Sequence, residues 1–179
     1  MANITSRVWF QKGLIAIPNI VSDVARQTLL DNSIATHEPN FLSELFGYEF
    51  SKGLLAHINA VPVVPNPLYD DLINGIEFTD SNGQLQTTKK LAEACSLYIL
   101  FKLLTESNTT WSGNGEYLAQ TENGLSVSPA KRMANVWNRM IEQNYKIYQF
   151  VDTKPTEYEK VITYGGSENL LTKINEYGI

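Results

Sequence analysis

The sequence predicts a mainly α-helical fold: a small helical bundle with one or two β-hairpins and extended arms at both ends. Three observations predict it. Leu91, Ala94, Cys95, Tyr98, Phe101 and Leu104 recur at helical spacing, and Ala92, Leu97, Ile99, Leu100 and Leu103 fill the other sides, so this helix is expected to be buried all round. Ser128-Pro129 reads as an N-cap followed by a first-turn proline, opening a one-faced helix striped by Met133, Val136, Trp137, Met140, Ile141, Tyr145, Tyr148 and Val151. The polar span between them, residues 106–128, has no core of its own and is longer than a compact connection requires, so it either binds something or is disordered, and an interaction loop is the sharper reading.

The remaining elements follow in chain order. Residues 4–20 read as an extended arm, because Val8, Trp9, Phe10, Leu14, Ile15 and Ile17 are strand formers, Gly13 permits a turn and Pro18 ends the run. Ser22 is placed to cap a short helix over 23–31, with Asp23 at its positive end and a break at Asn32-Ser33. A second helix is expected after Thr36, with Glu38 and Pro39 in its first turn, continuing with a kink or brief break at Gly47 to Asn59. Val61-Pro62-Val63-Val64-Pro65 is a stiff linker. Asn66-Pro67 caps a short helix that Gly75 ends. The segments 76–79 and 84–87 alternate about Asp80-Ser81-Asn82-Gly83 and predict a hairpin, after which Thr88 is placed to cap the buried helix. A second hairpin is expected from strands 116–121 and 125–127 about Asn123-Gly124, preceded by a flexible 112–115. After Thr153 the pattern suggests a strand over 158–164 and a terminal helix capped by Ser167, with Leu170, Leu171, Ile174 and Tyr177 on one face. The domain plan is therefore an arm over 1–21, a helical core over 22–153 and a tail over 154–179.

Composition excludes some classes of function. A net charge of −5 and a pI near 5.0, with no basic cluster, argue against a protein that grips nucleic acid or anionic membranes. The single Cys95 permits no disulfide within the chain and fits a reducing compartment. The first twenty residues hold neither the apolar core of a secretory signal nor a membrane span, so a cytosolic site of synthesis is expected.

Motifs for chemistry are sparse. There is no metal-ligand spacing, phosphate-binding loop or nucleophile elbow, so no metal, cofactor or catalytic residue is expected. His37 and His57 bound one helical region and read as surface or capping residues. Asp70 and Asp71 are adjacent and diverge by about 100° on a helix, which does not make a catalytic pair. Glu44 and Glu49 bracket Gly47 as exposed charges. Cys95 reads as a small core side chain. Trp111, a large aromatic among small polar residues, reads either as a lid packed over its own domain or as an anchor for another protein chain, and Tyr117 adds to the candidate anchors. Trp9, Phe10, Leu170, Leu171, Ile174 and Tyr177 join them, because the ends of the chain offer too little local sequence to bury them.

The run Glu38-Pro39-Asn40-Phe41-Leu42-Ser43-Glu44-Leu45-Phe46-Gly47-Tyr48-Glu49-Phe50, then Tyr69-Asp70-Asp71-Leu72-Ile73-Asn74-Gly75, Glu77-Phe78-Thr79-Asp80 and the helix from Leu91 to Leu104 resemble, in order and spacing, the head-tail connector (adaptor or head-completion) proteins of tailed bacteriophages, particularly neck ring proteins of crAss-like phages. The resemblance spans about residues 22–152. It implies a non-enzymatic virion protein at the neck, made in the bacterial cytoplasm. It further implies a homo-oligomeric ring of twelve subunits below the portal protein, contacts with other neck or tail proteins, and DNA only as cargo passing through the channel. Two other readings stay open on the residues alone: a small helical cytosolic regulatory or protein-binding module, and a hydrolase built around Asp70, Asp71 or Glu44.

Overall fold

The computed structural model describes residues 3–107, 111–112, 115–116 and 129–175. The fold is a mainly helical bundle with a two-stranded antiparallel hairpin, as the apolar periodicities require. Six α-helices occur among these residues: α1 Val24–Phe46, α2 Tyr48–Asn59, α3 Pro67–Asn74, α4 Leu91–Ser107, α5 Pro129–Asp152 and α6 Glu159–Tyr164. Strands β1 Glu77–Thr79 and β2 Leu85–Thr87 pair with Phe78 opposite Gln86. A further two-residue pairing joins β3 Trp111–Ser112 to β4 Gly115–Glu116.

Helix α4 is the centre of the bundle. It packs most extensively on α5 and next on α1, with α3 and the N-terminal segment also against it. Leu91, Cys95, Ile99 and Ala94 have no exposed surface, which is what an all-round apolar sequence demands. Helix α5 is one-faced, as its stripe predicts, but the buried set is Ala134, Val136, Met140, Ile141, Ile147, Phe150 and Val151; Tyr145 points outward, 59% exposed.

The two short polar elements between α2 and α4 follow their turn chemistry. The Asn66 side chain accepts the Leu68 N–H (3.1 Å) while Asp70 Oδ2 accepts the Asn66 N–H (2.7 Å), a reciprocal cap in front of Pro67. At the hairpin, Asp80 Oδ1 accepts the N–H groups of Asn82 and Gln84, both at 2.9 Å, and Gly83 supplies the positive φ of 76°.

Several sequence expectations are corrected. Residues 4–20 are not extended: Arg7–Gln11 and Gly13–Ile15 are 3₁₀ helices. Asn32-Ser33 does not break the first helix, because Ser33 and Ile34 are buried in the packing that holds α1 continuous. The same helix runs through Pro39, which lies on the exposed side together with Ala35, so the carbonyl left without its i+4 donor faces water. At Gly47 the expected brief break is present. With φ 81° this residue closes α1 and opens α2, and a Cβ there would lie 3.0 Å from the Tyr164 carbonyl oxygen. Thr88 does not cap α4, which starts at Leu91; its buried hydroxyl accepts the Ile76 N–H at 2.8 Å and ties the base of the hairpin. Residues 159–164 are helical rather than a strand, and the expected terminal helix is a 3₁₀ turn, Glu168–Leu171, without a Ser167 side-chain cap. Trp111 pairs with Glu116 and Ser112 with Gly115, a pairing not expected from the sequence. The expected strands beyond Glu116 lie outside the described residues.

Candidate interaction surface

The N-terminal segment is built into the bundle through one buried carboxylate. Glu38 lies on the same face of α1 as Ile34, Phe41, Leu42 and Leu45 and is 1% exposed. Its two oxygens accept the backbone N–H groups of Ile4 (2.9 Å) and Thr5 (2.8 Å). Burial raises the Glu38 pKa above its ordinary value, although these two bonds act in the opposite direction. Burial, and after it the neighbouring charge of Glu38, also pushes the Cys95 thiol well up, so this cysteine stays a protonated core side chain.

With its start fixed there, the segment lays Phe10, Ile15 and Ile20 into the core, at 0%, 9% and 3% exposure. Its outer side is fastened by polar contacts. Arg7 pairs with Asp31 through Nε (2.7 Å) and a second nitrogen, and donates to Gln27 Oε1 (2.6 Å). Arg132 of α5 donates to the Ala16 carbonyl (3.0 Å). The hydrogen bond from Arg7 holds the Asp31 carboxyl below its usual range.

The same stretch is also apolar on its outside. Val8 (69%), Leu14 (37%), Val21 (71%), Val24 (73%) and Leu29 (56%) alternate with the buried residues. Leu29 lines an open groove of about 260 Å³ whose other walls include Ile17, Pro18, Leu100, Leu103 and Arg132. Val61, Val63 and Val64 of the linker are exposed as well, whereas Tyr48 and Tyr164 stand beside the Gly47 break over the buried Phe46 and Phe50.

The tail is stitched to α5 rather than free. Asn138 donates to the Ile174 carbonyl (2.7 Å) and accepts the Ile174 N–H (2.8 Å), Trp137 Nε1 donates to the Thr172 carbonyl (2.9 Å), and Asn144 Nδ2 donates to the Leu170 carbonyl (3.0 Å). Upstream, the Gly166 and Ser167 N–H groups satisfy the Leu45 and Glu44 carbonyls at the end of α1 (3.0 and 3.2 Å). Tyr158, 1% exposed, reaches the Leu68 carbonyl at 2.9 Å.

The predicted anchors therefore divide. Phe10 and Leu170 are fully buried in the chain's own core, and Trp9 is partly buried against it. Leu171 and Ile174 are half-buried along α5. Phe10 and Leu170 are corrected from docking anchors to intramolecular contacts, because the apolar surface they would offer a partner is already covered, whereas Trp9, Leu171 and Ile174 keep part of theirs exposed. Trp111 is placed by its backbone pairing with Glu116; Tyr117 and Tyr177 lie outside the described residues. Sequence reasoning missed Glu38 and Asn138. The signal for Glu38 was available: a carboxylate on the apolar stripe of a helix must find buried donors.

The acidic residues considered for hydrolysis are engaged in other contacts. Asp70 Oδ1 meets His57 Nε2 at 2.8 Å, and this bond, followed by that from the Asn66 N–H, lowers the Asp70 pKa. Asp71 pairs with Lys154 (3.2 Å), and Glu44 lies 3.5 Å from the Tyr98 hydroxyl. His37 pairs with Glu106 at 3.0 Å. Among the described residues no group of three or more His, Cys, Asp or Glu side chains is placed to hold a metal ion, and no helix is long and apolar enough to cross a membrane. No family model, curated protein or solved structure matches the chain.

Proposed function

We propose that this protein is a structural subunit of a tailed-phage head-tail connector, a non-enzymatic ring component at the virion neck that joins the portal protein to the next neck or tail protein and leaves the DNA channel open. The observation that carries the reading is the double-sided apolar character of the stretch from Val8 to Leu29. Its inner residues complete the chain's own core, and its outer residues, up to 73% exposed, are surplus to that core. Surface of this kind is most readily accounted for by contact with another protein. The resemblance of the segments given above to connector proteins, in order and spacing, is what directs the reading to this assembly. The acidic balance suits a channel lining, since few phosphate contacts let DNA pass without being held.

The test is co-purification with the portal protein encoded in the same genome, followed by mass measurement of the complex and electron microscopy of its rings. A ring of this chain seated on the portal, together with the chain's presence in purified virions, is the expected result. A chain that ignores the portal protein and is missing from virions would overturn the reading and favour a monomeric or dimeric helical binding module.

A further inference from the structure

We infer that the open groove beside Leu29 takes an acidic, aliphatic segment of a partner protein, in which a leucine-like side chain enters the groove and a neighbouring carboxylate pairs with Arg132. The inference rests on the reading of the stretch from Val8 to Leu29 as a protein contact, but not on which protein is met.

The groove is apolar at its base and cationic at its rim. Leu30 and Leu103, both buried, form the floor, and Leu29 and Pro18, both exposed, form walls. At about 260 Å³ it is smaller than the roughly 300–1,000 Å³ cavities that enclose small ligands, and it is open, so it suits a side chain or two projected by a larger molecule. Leu29 is 56% exposed, and covering it with an aliphatic side chain removes apolar surface from water on both partners.

Charge selects the segment. None of the described residues lining the groove is acidic, while two are arginines, whose guanidinium groups stay charged at every physiological pH. Both are held by the turn they border: Arg26 donates to the Pro18 carbonyl at 2.7 Å and Arg132 to the Ala16 carbonyl at 3.0 Å. They differ in what balances their charge. Arg26 pairs with Asp23 at 3.1 Å, whereas Arg132 has no ion-pair partner among the described residues. In a chain of net charge −5, a partly buried arginine beside leucines and without a carboxylate of its own is complementary to an incoming one. The N–H groups that Arg132 does not spend on Ala16 belong to a planar fork, which matches a carboxylate in two parallel bonds. The bond to Ala16 fixes that fork beforehand and so lowers the ordering cost of binding. An anionic membrane is a poorer fit, since the net charge of the chain opposes it.

Two fluorescein-labelled peptides titrated into the full chain, followed by anisotropy, supply the test. Both are designed as amphipathic helices with leucines at four-residue spacing; one carries glutamates at the flanking positions and the other glutamines. The glutamate peptide is expected to bind about tenfold more tightly, with an advantage that shrinks in high salt. R132E should reverse the preference, so that the glutamine peptide binds the more tightly. L29N, at an exposed position that tolerates the change, should weaken both peptides roughly tenfold or more. Circular dichroism checks the fold of each variant, and the comparison of the two peptides on the wild type needs no variant. Equal binding of the two peptides, no saturable binding of either, or binding unmoved by L29N would overturn the inference. Sedimentation with phosphatidylserine vesicles that L29N abolishes would overturn it in favour of a lipid surface, and self-association that L29N abolishes would overturn it in favour of a second copy. Portal protein is absent from the titration, so a ring seated on the portal without peptide binding, or the reverse, tells the failure of one proposal from the failure of the other.

Discussion

Phe10 and Val8 sit two residues apart in one 3₁₀ turn, and truncating each to alanine separates a segment packed on its own chain from an arm that docks elsewhere. Phe10 is fully buried and Val8 is 69% exposed. Phe10→Ala removes an aromatic side chain from the closed interior and leaves a void that the neighbouring α1 and α4 cannot fill, at a cost of about 3–5 kcal/mol. For a chain of this length each kcal/mol lowers the melting temperature by roughly 2–4 °C, so the variant should melt about 6–20 °C below wild type. Val8→Ala removes little buried surface and should stay within about 0.5 kcal/mol. The assay is urea and thermal unfolding followed by circular dichroism, run at low protein concentration so that the isolated chain is measured. Equal melting of wild type and Phe10→Ala would refute the reasoning, since it would place Phe10 outside the chain's own core. Destabilisation by Val8→Ala as large as that by Phe10→Ala would refute it too, because the two sides of the segment would then not differ.

Two further outcomes follow from the same geometry. Leu170→Ala should cost roughly 2–5 kcal/mol, measured by urea unfolding, because Leu170 is fully buried beneath the turn that Asn144 holds; a variant as stable as wild type would return the tail to a free docking arm. Glu38→Gln should change the pH dependence of stability: the folded pKa of Glu38 is raised, so the folded state binds its proton more tightly than the unfolded state, and wild type loses stability as pH rises from the ordinary glutamate pKa through the raised one. The variant lacks this loss, so the difference in unfolding free energy should move in its favour across that window and level off above it. Asp31, Asp70, Asp80 and Glu142, whose pKa values are lowered, contribute stability that is lost as pH falls, but they are common to both proteins and cancel in the difference. A difference that is constant with pH, or of opposite slope, would show that Glu38 is not the buried acceptor described.

Local chemistry was legible wherever a short run of residues sufficed to satisfy it. Asn66-Pro67 caps α3, Asp80 to Gly83 turns the hairpin, and Gly75 ends α3 with φ 77° at a point where a Cβ would come within 2.7 Å of the Thr88 carbonyl oxygen. The buried α4 and the one-faced α5 could be read because fourteen or more residues of consistent apolar spacing leave no other regular structure able to bury them. The candidate surface was less legible. Val8, Trp9, Phe10, Leu14 and Ile15 satisfy a strand pattern and two 3₁₀ turns equally well, since so short a run does not separate the periods. Its choice between own core and partner depended on a seat assembled from α1 and α4.

By itself the sequence determined the helical class, the central place of α4, the capped start of α3 and the hairpin about Asp80, because these rest on contacts within a few residues or on one face of one helix. Only the tertiary structure decided that α1 runs unbroken through Asn32 and Pro39, that Glu38 is an acceptor for Ile4 and Thr5 rather than a first-turn carboxylate, and that Leu170 and Ile174 lie along α5. Each of these depends on which groups a distant part of the chain brings to the same place. A helix break is overridden when burial of Ser33 and Ile34 outweighs local propensity, and a buried carboxylate is tolerated only when two N–H donors from more than thirty residues away arrive to meet it.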